Sequence, residues 1–335
     1  MALRMGRHWR EYIGISPIPG MLSVECVGTA PDHELPILFS HKEWYFRDDE
    51  EPNEVLQTVE DFIGRSEKDL YEQTFAQHAA VVFVYSSNKM ERTLPAGVSE
   101  QETFRCLESL YDERDASGIT QPPVTWRADG GNRAEMRSQM MQHYNALRLV
   151  STWSRDPEHK LDVDQVCSLH KTLMLNSVDE KGNPVVVGEI RKTGAFTAGH
   201  IYPEASIESL EQAISKYYES IQRKDHFLLS AATLFYEVIQ AHSFQDGNGR
   251  LCRLLLNYAL ERAGFPFAIP LTSGHTKARQ HYIMAIQSAQ YKDTQNLPVN
   301  KHLIDLISLI LKSCYYKVVN YQANKRRMAG RALRA

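Results

Sequence analysis

A glycine-rich turn between two apolar segments constrains the fold of this chain most. Residues 241–260, AHSFQDGNGRLCRLLLNYAL, contain DGNG, a strong hairpin signal because Asn and Gly accept positive φ. The apolar residues on both sides, however, recur at helical and not at alternating spacing. They are Phe227, Ala231, Leu234, Phe235 and Val238 before the turn, and Leu251, Leu254, Leu255, Tyr258 and Ala259 after it. We therefore interpret the turn as a connection between two helices.

Most of the remaining chain has the same helical spacing. It predicts further helices over about 66–94, 100–113, 132–150, 162–174, 207–221, 276–290 and 301–322. Two of these begin with a capping box, Ser66 with Asp69 and Asp162 with Gln165. The exception is PVVVGEIRKTGAFTAGHIYP, residues 184–203, whose β-branched residues and glycines predict a short hairpin.

Composition restricts the class of protein. The chain has 335 residues, of which 43% are hydrophobic and 24% charged, as in globular proteins. A net charge of -3 favours neither nucleic acid nor a membrane surface as partner. The five cysteines form no CxxC pair, so no zinc site or disulfide framework is indicated. With neither a signal peptide nor an apolar run long enough to span a bilayer, we expect a cytoplasmic protein.

Shifts in composition divide the chain into four parts. Residues 1–62 are an N-terminal extension of unassigned function, in which VECVG and PILFSHKEWYF resemble short strands. Residues 63–130 are a helical segment ending in a Pro- and Gly-rich linker, and residues 131–320 are the core. Residues 321–335 form a basic tail, for which a solvated end is favoured over a nuclear-localisation or nucleic-acid signal.

The turn has the properties of an anion site. The first amides of the second helix lack intrahelical partners, and that end carries a partial positive charge. Gly247 and Gly249 remove the side chains that would keep a phosphate away from the backbone. Arg250 and Arg253 are three residues apart, so both lie on one face of that helix. The turn is therefore predicted to be an anion cradle at a helix N-terminus.

Two further side chains add chemistry to this cradle. Asp246 offers a hard oxygen ligand suited to a magnesium ion that also contacts phosphate. His242 can exchange a proton near neutral pH. A base, a metal ligand and an anion cradle within twelve residues indicate a site that transfers a phosphate-bearing group. The alternative is a plain helix–helix turn with surface arginines, which each residue taken singly would fit.

The segment HSFQDGNGRLCR resembles H-x-F-x-[D/E]-G-N-G-R-x-x-R, the signature of Fic-domain proteins. The resemblance extends over about 130–315 and includes His170 in SLHKTLM, GEIR at 188–191, the hairpin ending in GHIYP, and HYIMAIQSAQ at 281–290. It implies an all-α fold, a Fic-type helical bundle with a short β-hairpin flap. It also implies transfer of AMP from ATP to a hydroxyl of a target protein, the activity of most members.

The resemblance also implies roles for individual residues. His242 would deprotonate the hydroxyl of a Ser, Thr or Tyr of the target, and Asp246 would hold Mg²⁺ against the α- and β-phosphates. The anion hole would consist of Gly247, Asn248 and Gly249, and Arg250 and Arg253 would bind phosphates, Arg253 the γ-phosphate. Ser243 stands where many members have Pro.

Two peripheral sites follow from the same resemblance. In the flap, Phe196, Thr197, Ala198 and Gly199 would clamp the target by strand addition; a purely structural hairpin is the alternative. Tyr282 and Gln290 fall where the family packs adenine, although members often have Asn in place of Gln290.

A second motif lies far upstream of the turn. Many Fic proteins carry an inhibitory helix with the motif [S/T]-x-x-x-E-[G/N]. Ser87 and Glu91 fit it, and Arg92 departs from Gly or Asn. The resemblance implies that Glu91 pairs with Arg253 and places a carboxylate where the γ-phosphate must bind. A solvated helix end is the alternative interpretation.

Several functions remain open at this stage. An adenylyltransferase is favoured because every signature position is present. A related enzyme could use another donor nucleotide or remove AMP, and a degenerate domain could bind nucleotide without chemistry. A nucleic-acid-binding protein is suggested only by the basic tail. The sequence names neither the target nor the oligomeric state, for which a homodimer is possible.

Overall fold

The computed structural model describes residues 50–65, 70–91, 93–94, 98–111, 131–178, 183–197, 200–271 and 278–332. Within these ranges the fold is almost entirely helical, with one antiparallel pair of strands. The helices are α1 (Pro52–Gly64), α2 (Leu70–Met90), α3 (Glu100–Tyr111), α4 (Gly131–Arg155), α5 (Val163–Met174), α6 (Ile207–Gln222), α7 (Phe227–Ala241), α8 (Asn248–Arg262), α9 (Ala278–Asp293), α10 (Val299–His302) and α11 (Ile304–Ala332). The strands are β1 (Ala195–Thr197) and β2 (His200–Tyr202). The all-α class with a short hairpin is confirmed.

Helices α7 and α8 form the centre of the molecule. They pack against each other, α6 covers α7, and α4 and α5 cover α8. Both helices are buried along most of their length; α7 is apolar on nearly every side, whereas α8 buries Arg250, Arg253 and Asn257 among its apolar residues. The loop 242–247 therefore connects two helices that are held in place by the core.

Helix α5 begins as its sequence predicts. The Asp162 carboxylate accepts a hydrogen bond from the backbone N–H of Gln165 at 2.8 Å, and the Gln165 side chain accepts one from the backbone N–H of Asp162 at 3.1 Å. This confirms the capping box, which satisfies two N–H groups that have no intrahelical acceptor. The other predicted box, Ser66 with Asp69, lies outside the described residues.

The boundary predicted after residue 62 is wrong, because it falls inside α1. Residues 52–64 are helical, with Pro52 at the first turn, where its missing N–H costs nothing. Phe62 of α1 packs in an aromatic cluster with Phe267 at 5.4 Å and Tyr321 at 5.5 Å between ring centres. This contact joins the end of the N-terminal extension to the core. The two segments predicted as strands lie outside the described residues.

The predicted basic tail is also different in the structure. Helix α11 continues through residue 321 to Ala332, because Lys, Arg, Met and Ala are all good helix formers. Tyr321 is fully buried, whereas residues 325–330 are exposed. The sequence therefore predicted that this segment is solvated, but not that it is helical. No helix in the described ranges is long and apolar enough to cross a membrane.

The hairpin is shorter than the predicted segment. Strands β1 and β2 pair with Phe196 opposite Ile201. The preceding residues run irregularly along the central loop, where the backbone N–H of Arg191 donates to the carbonyl of Ser243 at 2.9 Å. A backbone N–H used in this way is not available for a strand ladder.

Candidate active site

The loop after α7 is held by its own asparagine. His242 ends α7 in a left-handed conformation (φ 41°, ψ 50°), and Gly247 precedes α8 with φ 77°. The Asn248 side chain accepts from the backbone N–H of Phe244 at 3.0 Å and donates to its carbonyl at 2.7 Å. Because Phe244 is fully buried, these two bonds fix the curvature of the loop between base and helix.

His170 of α5 supports the loop 242–247 through a hydrogen bond and a ring contact. Its Nδ1 accepts the backbone N–H of Gly188 at 2.9 Å, so Nε2 carries the proton and donates to the carbonyl of Asp246 at 2.9 Å. Its ring stacks on Phe244, with 3.9 Å between ring centres. Burial, together with the nearby Arg250, lowers the pKa of His170 to about 4. The His170 imidazole is therefore neutral near pH 7 and supports the loop 242–247 in one orientation.

The two glycines of the turn serve different purposes. A Cβ on Gly247 would lie 2.6 Å from the sulfur of Met174, so this residue is required by packing as well as by its positive φ. A Cβ on Gly249 would lie 2.5 Å from Oε1 of Glu91. The first intrahelical bond of α8 runs from Leu251 to Gly247 at 2.9 Å, which leaves the earlier amides without helical acceptors. The space in front of Gly249 thus contains an acidic group at a helix N-terminus.

His242 is in the form required of a base. It is 8% exposed, and its imidazole stacks on Tyr202 with 4.1 Å between ring centres and 17° between planes. Burial lowers the pKa of His242 to about 4, assisted by Arg191 and His200. The imidazole is therefore neutral near pH 7 and can accept a proton.

Arg250 and Asp246 lie at the entrance of the predicted anion site. Arg250 is 2% exposed, and its guanidinium lies 3.6 Å from the Asp246 carboxylate. The other carboxylate oxygen of Asp246 accepts from the backbone N–H of Gly247 at 2.6 Å, and more than half of this side chain is exposed. Nε of Arg250 and Nη1 of Arg253 are buried without a hydrogen-bond partner within the described ranges. Buried cationic donors of this kind are suited to an incoming anion.

Arg253 is held by the end of α2. Its Nη2 lies 2.6 Å from Oε1 of Glu91, its Nε donates to Oγ of Ser87 at 2.8 Å, and its Nη2 also donates to the Ser87 carbonyl at 3.2 Å. Arg253 is fully buried, whereas a third of the Glu91 side chain is exposed. Burial raises the pKa of Glu91, but Arg253, with smaller contributions from Arg250 and Arg279, outweighs it and lowers the pKa overall. The predicted Glu91–Arg253 pair is therefore present and ionised.

Further contacts fix the last turn of α2. The Asn88 side chain donates to the carbonyl of Val84 at 2.8 Å and to Nδ1 of His143 at 3.1 Å. Arg279 of α9 donates to the carbonyl of Met90 at 2.9 Å. Glu91 follows directly, so α4 and α9 together position its carboxylate. Arg92 lies outside the described residues.

The residues predicted to face adenine lie beside this cluster. Tyr282 is buried, and the Arg253 guanidinium lies 5.3 Å from the centre of its ring. Gln290 donates its side-chain amide to the hydroxyl of Tyr202 at 3.1 Å. Tyr282 is thus next to Arg253, whereas Gln290 contacts the hairpin.

The hairpin presents its outer face to solvent. Phe196 and Ile201, which pair across the strands, are 71% and 75% exposed, and Thr197 is exposed as well. Ala198 and Gly199 lie outside the described residues.

Three comparisons with known proteins address this arrangement. Residues 160–260 match the Fic/DOC family. The chain contains a Fic/DOC domain. The match includes His170, the hairpin, and the entire loop from His242 to Arg253.

The Fic/DOC domain also relates the chain to named proteins and solved structures. A protein adenylyltransferase Fic from Nematostella vectensis is 30% identical over 125 residues, which are 36% of this chain and 28% of the relative. A Fic domain-containing signaling protein from Bacteroides thetaiotaomicron has a TM-score of 0.61 at 20% identity, covering 80% of this chain and 94% of that one. Fic-1 from Caenorhabditis elegans has a TM-score of 0.59 at 20% identity, covering 82% and 73%. The chain thus spans just over a quarter of the Nematostella relative, and the structural likeness shows the fold.

Sequence reasoning missed several residues that shape the Fic/DOC site. Arg191 donates to the carbonyl of His242 at 2.6 Å, and Tyr202 stacks on its ring. Both stand in quoted segments, GEIR and GHIYP, but no spacing rule relates them to His242 across forty or more residues. Asn88 and His143 were missed as well, because each resembles an ordinary polar residue of an amphipathic helix.

Proposed function

We propose that this protein is a protein adenylyltransferase, which transfers AMP from ATP to a Ser, Thr or Tyr hydroxyl of a target protein. The observation that carries this proposal is the neutral, buried imidazole of His242 beside a helix N-terminus and two buried arginines. The names of the relatives support the same reaction class.

The geometry suits a single in-line displacement. His242 accepts the proton of the target hydroxyl while the hydroxyl oxygen attacks the α-phosphorus of ATP. The bond from the α-phosphorus to the oxygen bridging to the β-phosphate breaks, and pyrophosphate leaves. The free amides at the start of α8 and the Arg250 guanidinium stabilise the negative charge on the phosphate oxygens. Positioning and electrostatics therefore provide most of the catalysis.

Asp246 is the residue that would hold Mg²⁺. No cluster of three or more His, Cys, Asp or Glu suited to a metal occurs in the part of the chain that the structure describes. A single exposed carboxylate at the mouth of a phosphate site fits an ion bound by one carboxylate, phosphate oxygens and water. When bound, the ion would neutralise charge on the phosphates.

The magnesium assignment makes a first prediction. Asp246→Ala should remove the Mg²⁺-dependent part of ATP binding, because it deletes the protein's ligand to the ion. Calorimetric titration with ATP, with and without Mg²⁺, measures this. Asp293→Ala, which removes a carboxylate that accepts a hydrogen bond from Tyr236, is the matched control and should retain the Mg²⁺ dependence. Equal Mg²⁺ dependence in Asp246→Ala and wild type would remove Asp246 from the metal site.

The target protein would dock on the hairpin. The exposed edge of β1 offers backbone groups for strand addition, and Phe196 adds an apolar contact. Phe196 and Thr197, together with Ala198 and Gly199 of the same sequence segment, would hold the acceptor segment near His242. Tyr282 and Gln290 would face the adenine base. A homodimer stays a prediction, which light scattering would test.

We further propose that Glu91 keeps the wild-type enzyme nearly silent. Its carboxylate occupies Nη2 of Arg253 and lies in front of Gly249, at the helix N-terminus where a phosphate would bind. A triphosphate entering there would meet a fixed negative charge and an arginine that is already paired. Suppression by ~2–3 kcal/mol corresponds to a roughly 30- to 150-fold lower rate.

The donor and the reaction direction are tested together. The Glu91→Gly variant is incubated with Mg²⁺ and, separately, ATP, GTP, CTP or UTP, followed by intact-mass measurement of self-modification. An adduct of AMP alone supports adenylyl transfer. An adduct with a different nucleotide would replace ATP as the donor, and removal of a preformed AMP adduct without new transfer would reverse the direction.

A further inference from the structure

The aromatic side chain that covers His242 has no role in the transfer described so far. Tyr202 is the last residue of β2, and it is 4% exposed although its neighbour Ile201 points into solvent. Strand alternation sends the two side chains to opposite faces of the hairpin. Tyr202 therefore points inward, toward the base.

Three contacts fix the position of this ring. Its face lies against the imidazole of His242, with 4.1 Å between centres and nearly parallel planes. The ring of His200 meets it edge-on at 4.5 Å. Its hydroxyl accepts a hydrogen bond from the Gln290 amide at 3.1 Å, which ties the hairpin to α9. Burial raises the pKa of the phenol, so the hydroxyl stays neutral.

The backbone alone does not fix the plane of the imidazole. Arg191 donates to the carbonyl of His242, and His242 donates its own N–H to Val238, so both bonds hold the main chain. Nδ1 of His242 has no hydrogen-bond partner of good geometry within the described ranges. The ring of Tyr202, together with a looser interaction between the imidazole and the backbone of Ile239, therefore limits rotation of the imidazole about its side-chain bonds.

We propose that Tyr202 is a positioning residue: its ring fixes the plane of the His242 imidazole, and its hydroxyl, held by Gln290, anchors the hairpin at that position. This role rests on the proposed function of His242 as base. It predicts an effect on the chemical step with little effect on binding of the ATP phosphates, because the arginines and amides that would hold them are on α8 and make no hydrogen bond to Tyr202 within the described ranges. Gln290, which would face adenine, does bond to Tyr202, so KM for ATP is measured beside kcat. A base misaligned by about 1 Å can cost roughly 100-fold in rate.

Kinetics in the Glu91→Gly background test the role. Tyr202→Leu, which keeps an apolar side chain without a ring, should lower kcat by roughly 10- to 100-fold and leave KM for ATP within about twofold. Tyr202→Phe keeps the ring and should retain kcat within about threefold. An unchanged kcat in Tyr202→Leu, or an equal loss in Tyr202→Phe, would overturn the proposal.

A second measurement does not depend on activity. The imidazole C–H resonances of His242, assigned by comparison with His242→Ala, should be shifted upfield by the Tyr202 ring. The shift should persist in Tyr202→Phe and in Ile201→Ala, the adjacent residue with a solvent-exposed side chain, and should disappear in Tyr202→Leu. Resonances that do not change in Tyr202→Leu would show that the rings do not stack. An inactive Glu91→Gly parent would refute the proposed function instead, and the resonances would still decide the position of Tyr202.

Discussion

Glycine 249 illustrates how closely the site is packed at the scale of one residue. The place where its side chain would begin is 2.5 Å from a carboxylate oxygen of Glu91, whereas the nearest atom of Arg253 is 3.4 Å away. A methyl group at this position would therefore collide with the inhibitory carboxylate first. The same space must be open for a phosphate to reach the amides of α8.

Gly249→Ala should consequently destabilise wild type and the Glu91→Gly variant by different amounts. In wild type, the new methyl group displaces Glu91 from Arg253 and should cost roughly 1–3 kcal/mol, as overpacking usually does. In Glu91→Gly the colliding oxygens are absent, and the cost should be markedly smaller. Urea unfolding of wild type, Gly249→Ala, Glu91→Gly and the double variant gives the free energies of unfolding from which the coupling between positions 91 and 249 is calculated. Equal costs in both backgrounds would show that Glu91 does not occupy this space.

The residues of the loop were predictable because the chemistry is contiguous in sequence. Helix-terminus physics alone predicts an anion site at Gly247, Gly249 and Arg250, and the hard carboxylate of Asp246 predicts a magnesium ligand beside it. The support from Tyr202 was not predictable, because its partner His242 is forty residues away and aromatic residues are common in any strand. Residue types reveal what a site can bind, but not which distant side chain orients it.

At the scale of elements, the end of α2 is fastened to the core by more than its ion pair. Asn88 donates to the carbonyl of Val84 in its own helix and to His143 of α4, and this bond between helices lies outside the loop 242–247. Glu91 is three residues further on, so its place depends on how firmly this last turn is held. The Glu91–Arg253 contact is therefore a property of helix packing as well as of charge.

Asn88→Ala should partly activate the enzyme. Loss of a buried hydrogen bond costs about 1–3 kcal/mol and loosens the turn that carries Glu91, so self-modification should rise by up to roughly tenfold. The intact-mass assay with ATP and Mg²⁺ measures this against wild type. Lys89→Ala, whose partner Tyr85 is on the same helix, is the matched control and should stay silent. If both variants stay as silent as wild type, Asn88 does not position Glu91.

At the scale of the whole molecule, the ends of the chain joined the core in ways that sequence did not predict. Helix α1 lacked a recognisable start because its N-cap is Glu51, which makes no side-chain capping bond. Its Phe62 and the Tyr321 of α11 meet only in the folded state. Local patterns thus predicted the central helices, whereas contacts between distant segments join α1 and α11 to the core.

Acid should destabilise the folded protein through its buried histidines. The pKa of His242 is about 4 in the fold and near 6.5 in an unfolded chain, so between these values only the unfolded state binds the proton. Stability therefore falls as pH decreases through this window, by roughly 2 kcal/mol from His242 between pH 7 and pH 5. His242→Ala removes this contribution, so its loss of stability over the same interval should be smaller by that amount. Urea midpoints at both pH values measure it, and equal losses would contradict the burial of a neutral imidazole.

The central claim is that His242 transfers AMP once Glu91 is removed. The most direct test is intact-mass measurement of wild type, Glu91→Gly and the double variant Glu91→Gly/His242→Ala after incubation with ATP and Mg²⁺. We predict little modification of wild type, strong self-modification of Glu91→Gly, and a rate lower by about 10²–10⁴-fold in the double variant, with ATP binding retained by calorimetry. Glu91→Gln, which removes the charge but leaves the space in front of Gly249 filled, should gain less activity than Glu91→Gly. Modification of the double variant at the rate of Glu91→Gly, or no gain in either Glu91 variant, would contradict the account.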